Sequence, residues 1–207
     1  MGAYETSKTV LSGLGHELKE VDFSELSSGI CSYYVIAPAE CSSNLSRFDG
    51  VKYGYRAGDQ KDISKLYMQT RSEAFGDEVK KRILIGTHVL SAGFYDAYYL
   101  QAQKVRRMIK NKFEDVFKDV DLVFMPTTLD QAFEKNREST DPNRMYKEDL
   151  LTIPANLAGL PAISFPNGFK NNLPIGGQFV GNYFSEDLLL ATTHKIQEVS
   201  DWHKMTP

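Results

Sequence analysis

The segment DLLTIPANLAGLPAISFPNG, residues 149–168, sets the architecture of this 207-residue chain. It begins as a short amphipathic segment and continues into small residues that let a second backbone approach closely. Pro161 then introduces the apolar run Ala162–Phe165, which is short enough to form a buried strand. Turn-forming residues at 166–168 are predicted to end that strand. The pattern therefore predicts a tightly packed helix–turn–strand corner that begins at Asp149.

Asp149 itself has two interpretations. A rigid corner that carries a single charge is a suitable place for a substrate-binding group. Alternatively, the carboxylate only caps or solvates a helix, and the segment taken alone favours this second interpretation.

The composition is that of an ordinary globular protein, with 42% hydrophobic residues, 25% charged residues and a net charge of −3. Binding to nucleic acid phosphates needs concentrated lysine and arginine, which a slightly acidic chain does not supply by itself. Cys31 and Cys41 lack the CxxC spacing of a zinc or redox site, so we expect no metal and a reducing compartment. No apolar run approaches the ~20 residues of a membrane span. Because residues 1–10 also lack a secretory signal, we expect a cytoplasmic protein.

Helical and strand-like periodicities alternate along the chain. Helices are predicted at 4–14, 29–48, 62–75, 77–118 and 185–200. A kink or break is predicted near Ala37 in the second of these. The helix at 77–118 is predicted to have Asp77 as its cap and a break near 91–94. Strands are predicted at 16–23, 121–125, 162–165 and 175–181, an ordered loop is predicted at 49–59 and a surface loop at 130–144. This alternation predicts an α/β fold with a mixed sheet flanked by helices on both faces. The opening helix–strand pair lacks a preceding strand, so we expect residues 1–207 to be the C-terminal part of one larger domain.

Arg82 stands at the junction of a polar turn and an apolar run, on the predicted buried face of its helix. A buried guanidinium needs an anionic partner, which is either a structural carboxylate or the carboxylate of a ligand. The sequence alone slightly favours the structural partner. The scattered histidines and serines form no nucleophile elbow, P-loop or metal-binding motif, so the chain contains no self-contained catalytic apparatus.

Four segments together resemble the amidase-signature family. They are YYVIAPAECSSNLSRFDGVKYGYR (33–56), EVKKRILIGTHVLSAGFYDAYYLQAQKVR (78–106), YKEDLLTIPANLAGLPAISFPNG (146–168) and LPIGGQFVG (173–181). Within that family they are most similar to the C-terminal part of A subunits of aspartyl/glutamyl-tRNA(Asn/Gln) amidotransferases. The similarity covers residues 4–200, and a departure lies at residues 126–129, where these subunits usually have a further proline.

The resemblance implies a glutamine-hydrolysing amidase with a Ser–cis-Ser–Lys triad in its N-terminal half. No residue of this chain matches that triad, so we expect the chain alone to be inactive. The resemblance also implies that Arg82 binds the α-carboxylate of glutamine, that Asp149 binds its α-ammonium group and that Tyr33 lines the same pocket. These two charges suit the two ends of a zwitterion.

The resemblance further implies that ammonia passes to a B subunit, which amidates misacylated Glu-tRNA(Gln) or Asp-tRNA(Asn). That B subunit would hold ATP and Mg²⁺ and make most contacts to tRNA, a small C subunit would wrap the A subunit, and no cofactor would bind this chain. Two alternatives stay open. One is a stand-alone amidase that acts on a small amide, and the other is a non-catalytic module that binds an amino acid or serves as a scaffold.

Overall fold

The computed structural model of the protein describes residues 2–58, 61–133 and 148–206. Its helices are α1 (Gly2–Gly13), α2 (Gly29–Leu45), α3 (Ile63–Ala74), α4 (Asp77–Val89), α5 (Leu100–Val116), α6 (Ile153–Ala158) and α7 (Glu186–Glu198). Its strands are β1 (Leu122–Pro126), β2 (Ala162–Lys170) and β3 (Leu173–Gly181). Short 3₁₀ turns cover Ser24–Ser28 and Trp202–Lys204, and a π-helical turn covers Tyr95–Tyr99.

The chain forms two compact units, and the predicted α/β class is confirmed. The sheet unit comprises Met1–Ile30 and Arg106–Pro207, and the helical unit comprises Cys31–Val105. The organisation as one domain stays a prediction.

The three strands of the sheet unit form an antiparallel sheet in the order β1–β3–β2. A two-residue loop joins β2 to β3, and both of its residues have positive φ, 51° at Asn171 and 61° at Asn172. Asparagine tolerates this conformation, which matches the twist of a tight hairpin. The strands 121–125 and 175–181 are thereby confirmed to within two residues.

The predicted end of β2 at residues 166–168 is wrong. The strand continues to Lys170 through a register shift between Pro166 and Phe169, where Gly168 has a φ of 112°. Asn167 does not turn outward but is 2% exposed, and the hydroxyl of Ser7 on α1 donates a hydrogen bond to its amide oxygen. The turn-forming residues therefore form a β-bulge, and the strand continues beyond it.

The core of the sheet unit lies between one sheet face and two helices. Its buried members come from α1, β2, β3 and α7, and they are Leu11, Phe165, Phe179, Leu189 and Ile196. The rings of Phe165 and Phe179 stack with centroids 5.1 Å apart. Burying each such side chain contributes about 1.5–3 kcal/mol to folding, so this cluster fixes the sheet on which the corner at 149–168 is built.

The strand predicted at 16–23 is wrong, because this segment has no regular structure before the 3₁₀ turn at Ser24. Leu18, one of its three apolar positions, is 42% exposed, so the alternating apolar side chains do not form one buried face. An exposed ion pair connects the segment to the residues after α5, with Lys19 Nζ 2.7 Å from Asp119 Oδ2.

The helical unit contains α3 and α4 together with most of α2. The predicted break near Ala37 does not occur, since α2 continues through Pro38. Pro38 is buried, and a Cβ atom built on Gly86 of α4 would lie 1.9 Å from its carbonyl oxygen. The glycine therefore lets the two helices pack closely against each other, and that packing offsets the cost of an internal proline, which is about 3 kcal/mol.

The other predictions for the helical unit are largely confirmed. The long periodic segment breaks after Val89 and resumes through the π-helical turn. The loop is ordered over residues 49–58, where the N–H of Ala57 donates to Thr70 Oγ1 at 3.1 Å. Asp77 is not the cap of α4, because Gly76 occupies that position and Asp77 is the first helical residue. In the sheet unit, a surface loop was predicted at 130–144, and residues 134–144 of it lie outside the described residues.

Candidate functional site

Asp149 lies in the turn that leads into α6, and it is half-buried. Its backbone carbonyl accepts hydrogen bonds from the N–H groups of Thr152 at 3.2 Å and Ile153 at 3.0 Å. The hydroxyl of Thr152 donates to the same oxygen at 3.3 Å. The backbone of Asp149 is therefore tied to the start of α6, at the beginning of the corner, and its role in binding a substrate stays a prediction.

The helix that follows Asp149 is short and almost wholly buried. All of its residues except Asn156 are buried, and Gly159 ends it in the left-handed conformation with a φ of 74°. On its inner side, a Cβ atom built on Gly29 would lie 3.6 Å from both Ile153 and Leu157. Arg106 on α5 donates from Nε to the carbonyl of Leu157 at 2.9 Å, which satisfies one of the free carbonyls at the helix C-terminus. The predicted helix–turn–strand corner is thus present and closely packed within the sheet unit.

A buried glutamine that the sequence patterns did not single out connects this corner to the middle strand of the sheet. Gln178 on β3 is 3% exposed, and its Nε2 donates to the carbonyl oxygens of Leu151 at 2.8 Å and Pro126 at 3.3 Å. The signal in the sequence was a lone amide within the apolar strand IGGQFVG, because a buried amide has to find hydrogen-bond partners.

Arg82 lies on α4, but it is not buried as predicted. Its side chain is 41% exposed, and Nε donates to Oε1 of Glu78 at 3.2 Å. The i,i+4 spacing places the two residues side by side on the helix surface, and such exposed pairs contribute only about 0.3–0.5 kcal/mol. A pair this weak leaves the guanidinium able to exchange Glu78 for another carboxylate.

Tyr33 lies on α2 and is half-buried, with its ring edge-to-face against Tyr34 at a centroid distance of 5.2 Å. Arg82 and Tyr33 belong to the helical unit, and Asp149 belongs to the sheet unit. That these three residues hold one ligand stays a prediction.

The described residues contain no group of three or more histidine, cysteine, aspartate or glutamate side chains that could hold a metal ion. Cys31 is an exposed free thiol, and Cys41 is a half-buried one. None of the helices described is both long enough and apolar enough to cross a membrane.

A cavity of about 910 Å³ lies within the sheet unit. Its lining includes most of residues 16–27, four residues of β1 and the pair Leu150–Leu151, but not Asp149. The cavity is therefore next to the candidate site but distinct from it, and most of the side chains that line it are apolar.

A sequence model of the family described as Amidase matches residues 1–190. The A subunit of the glutamyl-tRNA(Gln) amidotransferase of Hahella chejuensis is 55% identical over 205 residues, which are 99% of this chain and 42% of that protein. The corresponding protein from Coxiella burnetii is 52% identical over 203 residues, again 42% of its length. The chain therefore spans about 42% of the length of these curated relatives.

A solved structure of such an A subunit also matches this chain. The crystal structure of the A subunit of glutamyl-tRNA(Gln) amidotransferase from Thermotoga maritima is 37% identical and superposes with a TM-score of 0.71. The match covers 100% of this chain and 40% of that structure.

Proposed function

This chain belongs to the amidase family, and on that premise we propose that it is the glutamine-recognition part of the A subunit of a tRNA-dependent amidotransferase. The observation that carries the proposal is the 55% identity, over 205 residues, to a protein named as that subunit. The segments that resemble this subunit include all three predicted site residues, Arg82, Asp149 and Tyr33. The complete subunit is then a polypeptide that contains this chain together with the rest of the family's length.

Glutamine is recognised by charge at both ends of its amino-acid group. Arg82 exchanges Glu78 for the α-carboxylate, which a guanidinium can bind through two parallel hydrogen bonds. Asp149 accepts hydrogen bonds from the α-ammonium group, and Tyr33 lines the same pocket. An amide without these two charges would make neither contact, so the site would bind an amino acid more tightly than a simple amide.

The remaining chemistry requires groups outside this chain. A Ser–cis-Ser–Lys triad in the rest of the subunit would attack the side-chain amide of glutamine, release ammonia and form an acyl-enzyme that water then hydrolyses. A B subunit with ATP and Mg²⁺ would activate Glu or Asp misacylated on tRNA and amidate it with that ammonia. A C subunit would wrap the A subunit, and the assembly would work in the cytoplasm.

The experiment substitutes the two charges in the complete subunit within its assembled complex. Hydrogen bonds to charged groups contribute about 1.5–3 kcal/mol, so Arg82→Ala and Asp149→Asn should each lower kcat/KM for glutamine by about one to two orders of magnitude. Arg82→Lys should restore little of the lost kcat/KM, because an ammonium group cannot donate two parallel hydrogen bonds to one carboxylate. The neighbouring substitutions Lys81→Ala and Glu148→Gln are the matched controls and should change kcat/KM by less than about twofold.

Replacing glutamine with an ammonium salt distinguishes an effect on glutamine binding from an effect on folding. Ammonia enters the reaction after the glutamine site, so both variants should amidate misacylated tRNA with ammonium at near wild-type rates. If they lose the ammonium-dependent reaction to the same degree, Arg82 and Asp149 are structural residues and the proposed site is wrong. Co-purification of the complete protein with B and C subunits distinguishes the amidotransferase from a stand-alone amidase.

A further inference from the structure

We infer that Gln178 is a positioning residue for glutamine recognition, which acts by holding the turn that carries Asp149. The inference rests on the proposed function, because it assigns Gln178 a role only if Asp149 binds the substrate. Gln178 would not touch glutamine itself.

Gln178 is anchored by the strand that carries it. It lies on β3, the middle strand of the sheet, where Met125 and Ser164 pair with it on either side. The next two residues, Phe179 and Val180, are 2% and 1% exposed. A side chain that projects from such a strand has little freedom to move, so its amide is a stable reference point for the loop above it.

The amide nitrogen of Gln178 joins two chain segments that the strand pairing does not connect. One Nε2 bond reaches the carbonyl of Leu151, two residues after Asp149, and the other reaches the carbonyl of Pro126 at the end of β1. Because the carbonyl of Asp149 is bonded to the start of α6, the short stretch from Asp149 to Leu151 is held at both ends. The carboxylate of Asp149 therefore projects from a backbone that the sheet and α6 fix together.

Removing the two N–H donors of the Gln178 side chain would free the stretch from Asp149 to Leu151. The carbonyls of Leu151 and Pro126 would lose the hydrogen bonds from Gln178, and the turn would shift so that the carbonyl of Leu151 meets water or another donor. A displacement of about 1 Å in a group that grips a charged substrate can cost up to about 100-fold in rate or binding. The effect would fall on glutamine, whose ammonium group Asp149 contacts, and not on ammonia supplied as a salt.

The test is Gln178→Met in the complete subunit within its assembled complex, since methionine keeps the volume but removes both donors. The KM for glutamine should rise about tenfold, while the rate with ammonium salt should stay within about twofold of wild type. Gln131→Met is the matched control, because Gln131 also donates from Nε2 to two carbonyls, those of Lys170 and Leu173. These carbonyls flank the β2–β3 hairpin, so this variant should leave the KM for glutamine unchanged.

A double-substitution cycle with Asp149→Asn tests whether Gln178 acts through Asp149. The combined variant should raise the KM for glutamine no more than Asp149→Asn alone, since residues that share one role are not additive. Multiplicative effects, or a loss of ammonium-dependent activity in step with glutamine-dependent activity, would overturn the inference. If Asp149→Asn leaves the KM unchanged, the proposed function fails, and if only Gln178→Met leaves it unchanged, the positioning role fails alone.

If Gln178→Met does not assemble, Gln178→Asn provides the second variant. Asparagine keeps the amide but is one methylene shorter, so it cannot reach both carbonyls from the same backbone position. It should raise the KM for glutamine in the same direction while the ammonium-dependent rate is retained, and an unchanged KM would overturn the inference.

Discussion

At the scale of single residues, Gly86 is the glycine at which an added Cβ atom would make the shortest contact with its surroundings. A Cβ atom there would lie 1.9 Å from the carbonyl oxygen of Pro38 and 2.8 Å from the Cβ atom of Ser42. The nearest of these atoms is backbone within α2, so it cannot move aside as a flexible side chain would. The glycine is therefore required by the contact between the two helices and not by its backbone angles.

We predict that Gly86→Ala destabilises the protein by about 1–3 kcal/mol, the usual cost of forcing an extra carbon into a packed interface. Gly58→Ala is the matched control in the same unit, because no heavy atom lies within 4 Å of its added Cβ. That control should be neutral or should stabilise the protein by up to about 1 kcal/mol. Thermal unfolding of the complete subunit measures both, and equal midpoints for the two variants would contradict the packing described.

At the scale of elements, the ion pair between Lys19 and Asp119 joins the irregular segment 16–23 to the residues just after α5. The hydrogen bond and the charge of Lys19 lower the pKa of the Asp119 carboxyl below its ordinary value of 3.8. A carboxyl with a lowered pKa in the folded state stabilises the fold above its unfolded pKa. That stabilisation is lost as the pH falls through the folded pKa.

We predict that Asp119→Asn lowers the midpoint of thermal unfolding at pH 6 and that its difference from wild type shrinks as the pH falls below about 4. Lys19→Met should give a similar loss at pH 6, and the double variant should be no worse than either single variant. Both groups are more than half exposed, so 0.5 M salt should weaken the effect. A constant difference between Asp119→Asn and wild type from pH 6 to pH 3 would show that the pair does not control this segment.

The elements that sequence patterns predicted correctly are those in which local preference and tertiary packing agree. Helical periodicity predicted α4 and α5, and the apolar run after Pro161 predicted the first four residues of β2. Two errors arose where tertiary contacts override local preference. Pro38 stays helical because its carbonyl packs against Gly86, and Asn167 stays in a strand because it is buried with Ser7 as its partner.

The candidate site was only partly predictable for a similar reason. Asp149 was located through the pattern of the corner, and the structure places it there. The role of Gln178 could not be identified from the sequence, because its partners are backbone carbonyls of residues 27 and 52 positions away. Sequence periodicity carries no information about such contacts. The predicted burial of Arg82 was wrong because a helix face inferred from spacing does not show how much of that face is covered.

At the scale of the whole molecule, the sheet unit leaves apolar surface open beside one strand. Within the described ranges, β1 pairs only with β3, so its other edge has no neighbouring strand. The cavity of about 910 Å³ has β1 in its lining and includes Leu18, which is 42% exposed. An unpaired strand edge beside apolar side chains is a surface on which chains associate.

We therefore predict that the 207-residue chain, produced alone, self-associates at micromolar concentrations. Sedimentation velocity should show oligomers whose proportion rises with concentration. Leu18→Lys should shift the distribution toward monomer, because a charge beside the open edge opposes pairing. Leu190→Lys is the matched control, since Leu190 is 61% exposed on α7 and does not line the cavity. Equal effects of the two lysines would assign the association to general hydrophobicity. A compact monomer with a sharp, cooperative melt at every concentration would show that the edge of β1 is already protected.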